Sequence, residues 1–183
     1  MVQLKGVNSV KLEDYAWNKH EQKLKEEQTE FKPSNPKIKI IDNTELRNKI
    51  EEALEKMPQK LLAQWTLKVA TPYLAYLDDH LKDDSRINLG IDTLQKRIDG
   101  SIRASDLRKV GFVVNELAKE SKSDISKYSA RSFAQAIATG HMRGHALVSS
   151  DYAIKAINVL TDNSTDSSTK ERERQLNILH ELI

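Results

Sequence analysis

From Asp42 to Ile183 apolar residues recur at three- and four-residue intervals with almost no interruption, and that period is the strongest constraint the chain carries. It calls for helices. The punctuation agrees: 6 Gly and 4 Pro in 183 residues are too few for a fold of many short strands, which needs a turn signal every ~8 to 12 residues. The predicted fold class is all-α, a single helical bundle of about six to seven helices with an N-terminal helical or extended appendage.

The individual helices follow from their punctuation. Asp42 with Glu45 three residues on reads as a capping box opening a helix through Leu46, Ile50, Ala53 and Leu54 to Met57. Pro58 suits the first turn of a second helix with Leu61, Leu62, Trp65 and Val69 on its apolar face, and Pro72 kinks or divides it. Ser85 caps a third through Ile87, Ile91, Leu94 and Ile98, closed by Gly100 in a left-handed position. Ser101 or Ser105 caps a fourth through Leu107, Val110, Val114 and Leu117. Asp124 opens the longest periodic region, which runs through Phe133 and Ile137 to Gly140 and again from Ala146 to Leu160. Ala130, Ala134, Ala136 and Ala138 let these two helices approach closely. A loop over Asp162 to Ser168 precedes a last helix capped by Thr169.

Residues 1–39 have a different character. Polar residues dominate, Glu13 to Glu30 suits a solvated helix, and Pro33 and Pro36 mark a linker. Lys37 to Ile41 alternates polar and apolar residues and reads as one extended segment. The expected division is a polar segment over 1–39 and an all-α domain over 40–183.

Composition narrows the function classes. Cysteine is absent, which removes disulfides, thiol catalysis and thiolate metal sites. The 29 Lys and Arg against 27 Asp and Glu leave a net charge of +2, without the basic stripe and stacking aromatics of a nucleic-acid binder. No apolar run approaches the ~18 residues of a membrane span, and the first twenty residues lack the apolar core of a secretory signal. The expectation is a cytoplasmic protein with no nucleic-acid or membrane partner and no cofactor. Its apolar stripes serve a core or a dimer interface equally, so a homo-oligomer stays open.

Few residues carry chemistry. His141 and His145 stand four apart, which on a continuous helix puts both imidazoles on one face, as a zinc site requires. The Glu of the H-E-x-x-H motif is missing from between them, and His20, His80 and His180 have no evident place nearby. A metal- or small-ligand site centred on this pair, with Arg131 and Tyr152 joining it, is the alternative reading; packed, hydrogen-bonded histidines are the plainer one. No phosphate-binding glycine loop, nucleophile elbow or acid/base pair is visible, so no catalytic residue is assigned. Asp78, Asp79, Asp83 and Asp84 lack the glycine and terminal Glu of a calcium loop and read as a solvated turn or as an acidic contact for a basic partner.

The block from Ser129 to Ala146, with Ala130-Arg131, Gln135-Ala136, Ala138-Thr139, His141 and His145-Ala146, followed by Tyr152-Ala153-Ile154-Lys155-Ala156, resembles the bacterial Imm-5-like putative immunity protein family. Trp65 in Leu62-Ala63-Gln64-Trp65-Thr66-Leu67, Arg86 with Gly100, and Glu171-Arg172-Glu173-Arg174-Gln175-Leu176 are similar to further family segments. Thr66 stands where the family pattern has Ala, Arg174 where it has Trp, and residues 1–39 have no counterpart in it. The resemblance marks Trp65, Arg131, Gln135, His141, His145, Tyr152 and Lys155 as motif residues. It implies an all-α, non-enzymatic protein that binds and neutralises a cognate toxin protein.

Overall fold

The computed structural model describes residues 10–183, in which two short helices, α1 (Leu12–Tyr15) and α2 (Lys19–Glu27), precede seven longer ones. These are α3 (Thr44–Glu55), α4 (Gln59–Ala70), α5 (Ser85–Ile98), α6 (Ala104–Glu120), α7 (Asp124–Ala138), α8 (His145–Leu160) and α9 (Thr165–Leu182). Pro72 lies in the first turn of a 3₁₀ segment, Thr71–Tyr76, that follows the end of α4. No strand occurs among the described residues, and no helix there is long and apolar enough to cross a membrane. The all-α bundle read from the periodicity is the fold.

Helix ends fall close to where the sequence puts them, often on a neighbouring residue. Asn43, not Asp42, caps α3 by accepting from the Leu46 amide at 3.1 Å, because the Asp42 carboxylate is drawn away to Arg172. Asp84 caps α5 in place of Ser85. At α6 the expected serine caps give way to the Asp106 carboxylate, which accepts from the Arg103 amide at 3.3 Å. Ser164 caps α9, so the loop expected up to Ser168 is shorter and Thr169 lies inside the helix. Asp162 and Asn163 make that reversal with positive φ, and Gly100 takes φ +76° at the end of α5 as predicted.

The solvated N-terminal helix needs correction. It breaks over residues 16–18, where Asn18 caps α2, and Tyr15, Ala16, Glu21 and Gln22 are buried rather than solvated. Each finds a partner on the bundle or within the segment itself, as described below for Tyr15 and Glu21. The 37–41 stretch is not one extended segment: residues 37 and 38 are bends and 39–41 carry no regular structure, and the Asn158 side-chain amide pairs with both backbone groups of Ile41 at 2.8 Å.

Two apolar clusters form the interior. Leu94, Leu107, Val114, Leu117, Phe133 and Ile137 gather α5, α6 and α7; Ile50, Leu62, Trp65, Val69, Ala153 and Leu179 gather α3, α4, α8 and α9. The antiparallel α7–α8 pair joins them through small side chains. Ser132 donates to the Ser149 carbonyl and Ser149 to the Ser132 carbonyl, at 2.9 and 2.7 Å. Such reciprocal bonds require a close backbone approach, and only small residues at the seam permit it.

Beside the second cluster lies a buried ionic network. Asp151 accepts from Arg47 Nε and Nη2, both at 3.0 Å, and from Arg172 Nη2 at 2.7 Å. Arg172 also meets Asp42 at 2.7 Å, and it is fully buried. The network ties the 41–47 stretch to α8 and α9.

Candidate functional site

Of the residues that the sequence singles out, Gln135, His141 and His145 meet at the turn between α7 and α8. The helical period breaks at Thr139 and resumes at His145, so His141 and His145 do not share a helix face as their spacing suggests. The turn brings them together all the same, with ring centroids 5.0 Å apart. His145 Nδ1 lies 2.6 Å from Oε1 of Gln135, one of the other motif residues, while the buried Nδ1 of His141 has no hydrogen-bond partner among the described residues. Burial pushes the His145 imidazole down to about 4, helped by His141 and Lys37. Burial and the Arg108 cation push His141 down as well.

Every neighbouring element braces this turn. Gln59 donates to the Thr139 carbonyl at 2.8 Å and Arg97 Nε to the Gly140 carbonyl at 3.0 Å. Gly140 is there because a Cβ would stand 2.5 Å from Leu107 and 2.9 Å from Leu94, both buried. The α8 N-terminus has no capping side chain of its own. Glu21 of α2 supplies one across 123 positions, its carboxylate accepting from the Arg143 and Gly144 amides at 3.0 and 3.1 Å. Arg143 turns the opposite way and donates to the carbonyls of Tyr15, Met57 at 3.0 Å and Leu54 at 2.7 Å, its guanidinium 3.5 Å from the Tyr15 ring centroid. It thereby joins the Leu54 carbonyl in the last turn of α3, which also accepts the Met57 amide, to the Met57 carbonyl just beyond that helix.

Two neutral imidazoles are good metal donors, but a site needs more of them. Among the described residues no three His, Cys, Asp or Glu side chains are placed to hold an ion, and residues 1–9 contain none of these types. Neither Arg131 nor Tyr152 hydrogen-bonds to the pair. Tyr152 lies two helical turns further along α8, with its ring stacked on Tyr128 at 6.4 Å. A cleft of about 470 Å³ opens between α2, α3 and the start of α8. Its charges largely satisfy one another: Tyr15 donates to Glu55 at 2.8 Å, Lys25 to Glu55 at 2.6 Å, and Arg47 to Glu51 at 3.5 Å.

The four aspartates separate into two kinds. Asp78 accepts from the Ser123 hydroxyl and from the Lys122 and Ser123 amides, which hold its carboxyl down at about 2 and fasten the α6–α7 turn. Asp84 caps α5 and pairs with Arg86 at 2.7 Å, which also holds it at about 2. Asp79 is exposed beside Lys82, and Asp83 is exposed with no ion pair among the described residues.

Of the remaining motif residues, Trp65 is fully buried and donates from Nε1 to the Gln175 carbonyl at 3.0 Å. Arg174, where the family pattern has Trp, lies over the Tyr73 ring at 5.9 Å and donates to the Val69 carbonyl at 2.9 Å. The sequence reading missed Glu21, Asp42, Arg47, Arg97 and Asp151. Nothing local marks a carboxylate whose partner lies more than a hundred positions away.

Fold and site define an all-α bundle with a braced α7–α8 junction. Over residues 52–182, more than two thirds of its length, the sequence matches the family described as Imm-5 like putative immunity protein, and the chain belongs to that family. Neither a search of curated proteins nor one of solved structures gives a match. Glu21, Asp42 and Arg47 all lie outside the matched residues, so parts of the bracing come from the N-terminal side of the family region.

Proposed function

We propose that this protein neutralises a cognate toxin in the cytoplasm by binding it stoichiometrically, with no chemical step. The observation that carries the reading is the family match over residues 52–182, which takes in the whole α4 to α9 bundle. The distribution of polar groups is in keeping with it. Buried charges are satisfied inside the protein, by ion pairs in the Asp42–Arg172–Asp151–Arg47 chain and by backbone groups at Glu21 and Arg143. In this proposal residues 40–183 carry the binding function and residues 1–39 brace it through Tyr15 and Glu21.

The alternative, a metal- or small-ligand site at His141 and His145, has less support. His145 spends Nδ1 on Gln135, and no carboxylate stands by to complete a donor set. Co-expression with the product of the neighbouring gene is the test. Restored growth, lost when the protein is absent, is the expected result; growth arrest that is the same with and without the protein refutes the reading. Equal melting temperatures with and without Zn²⁺ or Ni²⁺ are expected, because an ion bound only to the folded state would raise them.

A further inference from the structure

The seven motif residues divide by what they do inside the protein. Trp65, Gln135, His141 and His145 pack or hydrogen-bond within the bundle. Arg131, Tyr152 and Lys155 form no hydrogen bond and no ion pair among the described residues, and residues 1–9 contain no carboxylate side chain to supply one. These three share one surface. Tyr152 stacks on Tyr128 at 6.4 Å with 22° between the rings, and Lys155 Nζ lies 5.5 Å from the Tyr128 ring centroid. Lys127 Nζ stands 5.0 Å from the same ring, and Arg131 follows Tyr128 by three residues on the outer face of α7. Asp124 neutralises Lys127 at 2.9 Å, which leaves Arg131 and Lys155 as uncompensated cations around a pair of half-buried tyrosines.

We propose that this α7–α8 face, Tyr128, Arg131, Tyr152 and Lys155, is the docking surface for the toxin, and that the toxin meets it with a carboxylate-bearing surface. The inference rests on the immunity reading above and adds to it the place and the chemistry of the contact. Tyrosine and arginine are the residue types that anchor interfaces, since they bring large area at low conformational cost. Two free cations beside them select an acidic partner and speed its arrival. A second copy of the chain fits poorly, because a two-fold contact centred on the tyrosines sets Arg131 and Lys155 near their own equivalents. Nucleic acid fits poorly too: the Tyr128 ring is already stacked by Tyr152 and approached by two ammonium groups, so it offers little free face to a base.

The test is a calorimetric titration of the full chain with the purified product of the neighbouring gene, at low and moderate salt. Three variants are compared with the unaltered chain: Tyr152→Ala, the pair Arg131→Glu with Lys155→Glu, and the pair Asp79→Asn with Asp83→Asn. Thermal denaturation confirms that each folds, and the charge-reversed pair leaves the tyrosines in place should Tyr152→Ala prove unstable. The proposal expects Tyr152→Ala to weaken binding by at least about 30-fold and charge reversal by at least about 10-fold with a flatter salt dependence. It expects no change from the aspartate pair. Unaltered binding by the first two variants, or loss only in the aspartate pair, overturns this surface while the immunity reading stands. Absence of binding by the unaltered chain fails the reading itself and this inference with it. Self-association lost in Tyr152→Ala, or single-stranded oligonucleotide binding lost on charge reversal, also overturns the assignment.

Discussion

Replacing Asp151 with Ala tests whether the buried ionic network is as dry and as coupled as its geometry implies. Asp151 is 2% exposed, and its carboxylate accepts three charge-assisted hydrogen bonds, two from Arg47 and one from Arg172. Without it Arg172 keeps Asp42, but Arg47 is left with the Ser34 carbonyl and with Glu51 at 3.5 Å. Removing one partner from a buried pair leaves an undercompensated charge in low dielectric, which costs about 3–5 kcal/mol. For a chain of this length each kcal/mol lowers Tm by roughly 2–4 °C, so the expected fall is roughly 6–20 °C. Chemical denaturation should show the loss in the midpoint with the slope unchanged. The double variant Arg47→Met with Asp151→Leu removes charge from both sides and should lose less than the two single changes together, with a coupling of about 1–3 kcal/mol. A loss below about 1 kcal/mol in Asp151→Ala, or strict additivity in the cycle, would refute the argument.

Three further outcomes follow from the α7–α8 junction. His145 titrates near 4 when folded and near its ordinary 6.5 when unfolded, so its contribution to stability is complete above about 6.5 and is lost as the pH falls towards 4; denaturation midpoints measured from pH 7.5 to 4 should fall over that window, less steeply in His145→Ala. Glu21→Gln should cost about 1 kcal/mol and speed hydrogen exchange at the Arg143 and Gly144 amides, which the carboxylate now holds. Gly140→Ala should cost about 1–3 kcal/mol by thermal denaturation, because its Cβ would press on the buried Leu107 and Leu94 side chains.

What the sequence makes legible here is what local chemistry decides. The apolar period from Asp42 onward yields the seven bundle helices, and Gly100 and Pro72 mark real interruptions, since positive φ and a missing amide act within a turn or two. Caps are less legible because two adjacent residues are equally able to accept an amide. Asp42 and Asn43 are such a pair, and what separates them is Arg172, 130 positions away. His141 and His145 are recognisable as a pair, yet four-residue spacing cannot tell a continuous helix from the braced turn where Gly140 leaves room for Leu107 and Leu94. The Glu21 cap on α8 has no sequence signal of its own: Glu21 sits among Gln, Lys and Glu in a stretch that reads as solvated, and only the fold makes it buried.

The immunity reading holds that one protein silences one toxin by occupying it, and residual toxin activity measured against increasing molar ratio of this protein tests that most directly. The account predicts a decline that reaches its floor at a fixed stoichiometry near one to one and does not deepen with time. Activity lost progressively at a small fraction of that ratio would reveal turnover, and activity unchanged at any ratio would mean the toxin is not bound; either result contradicts the account.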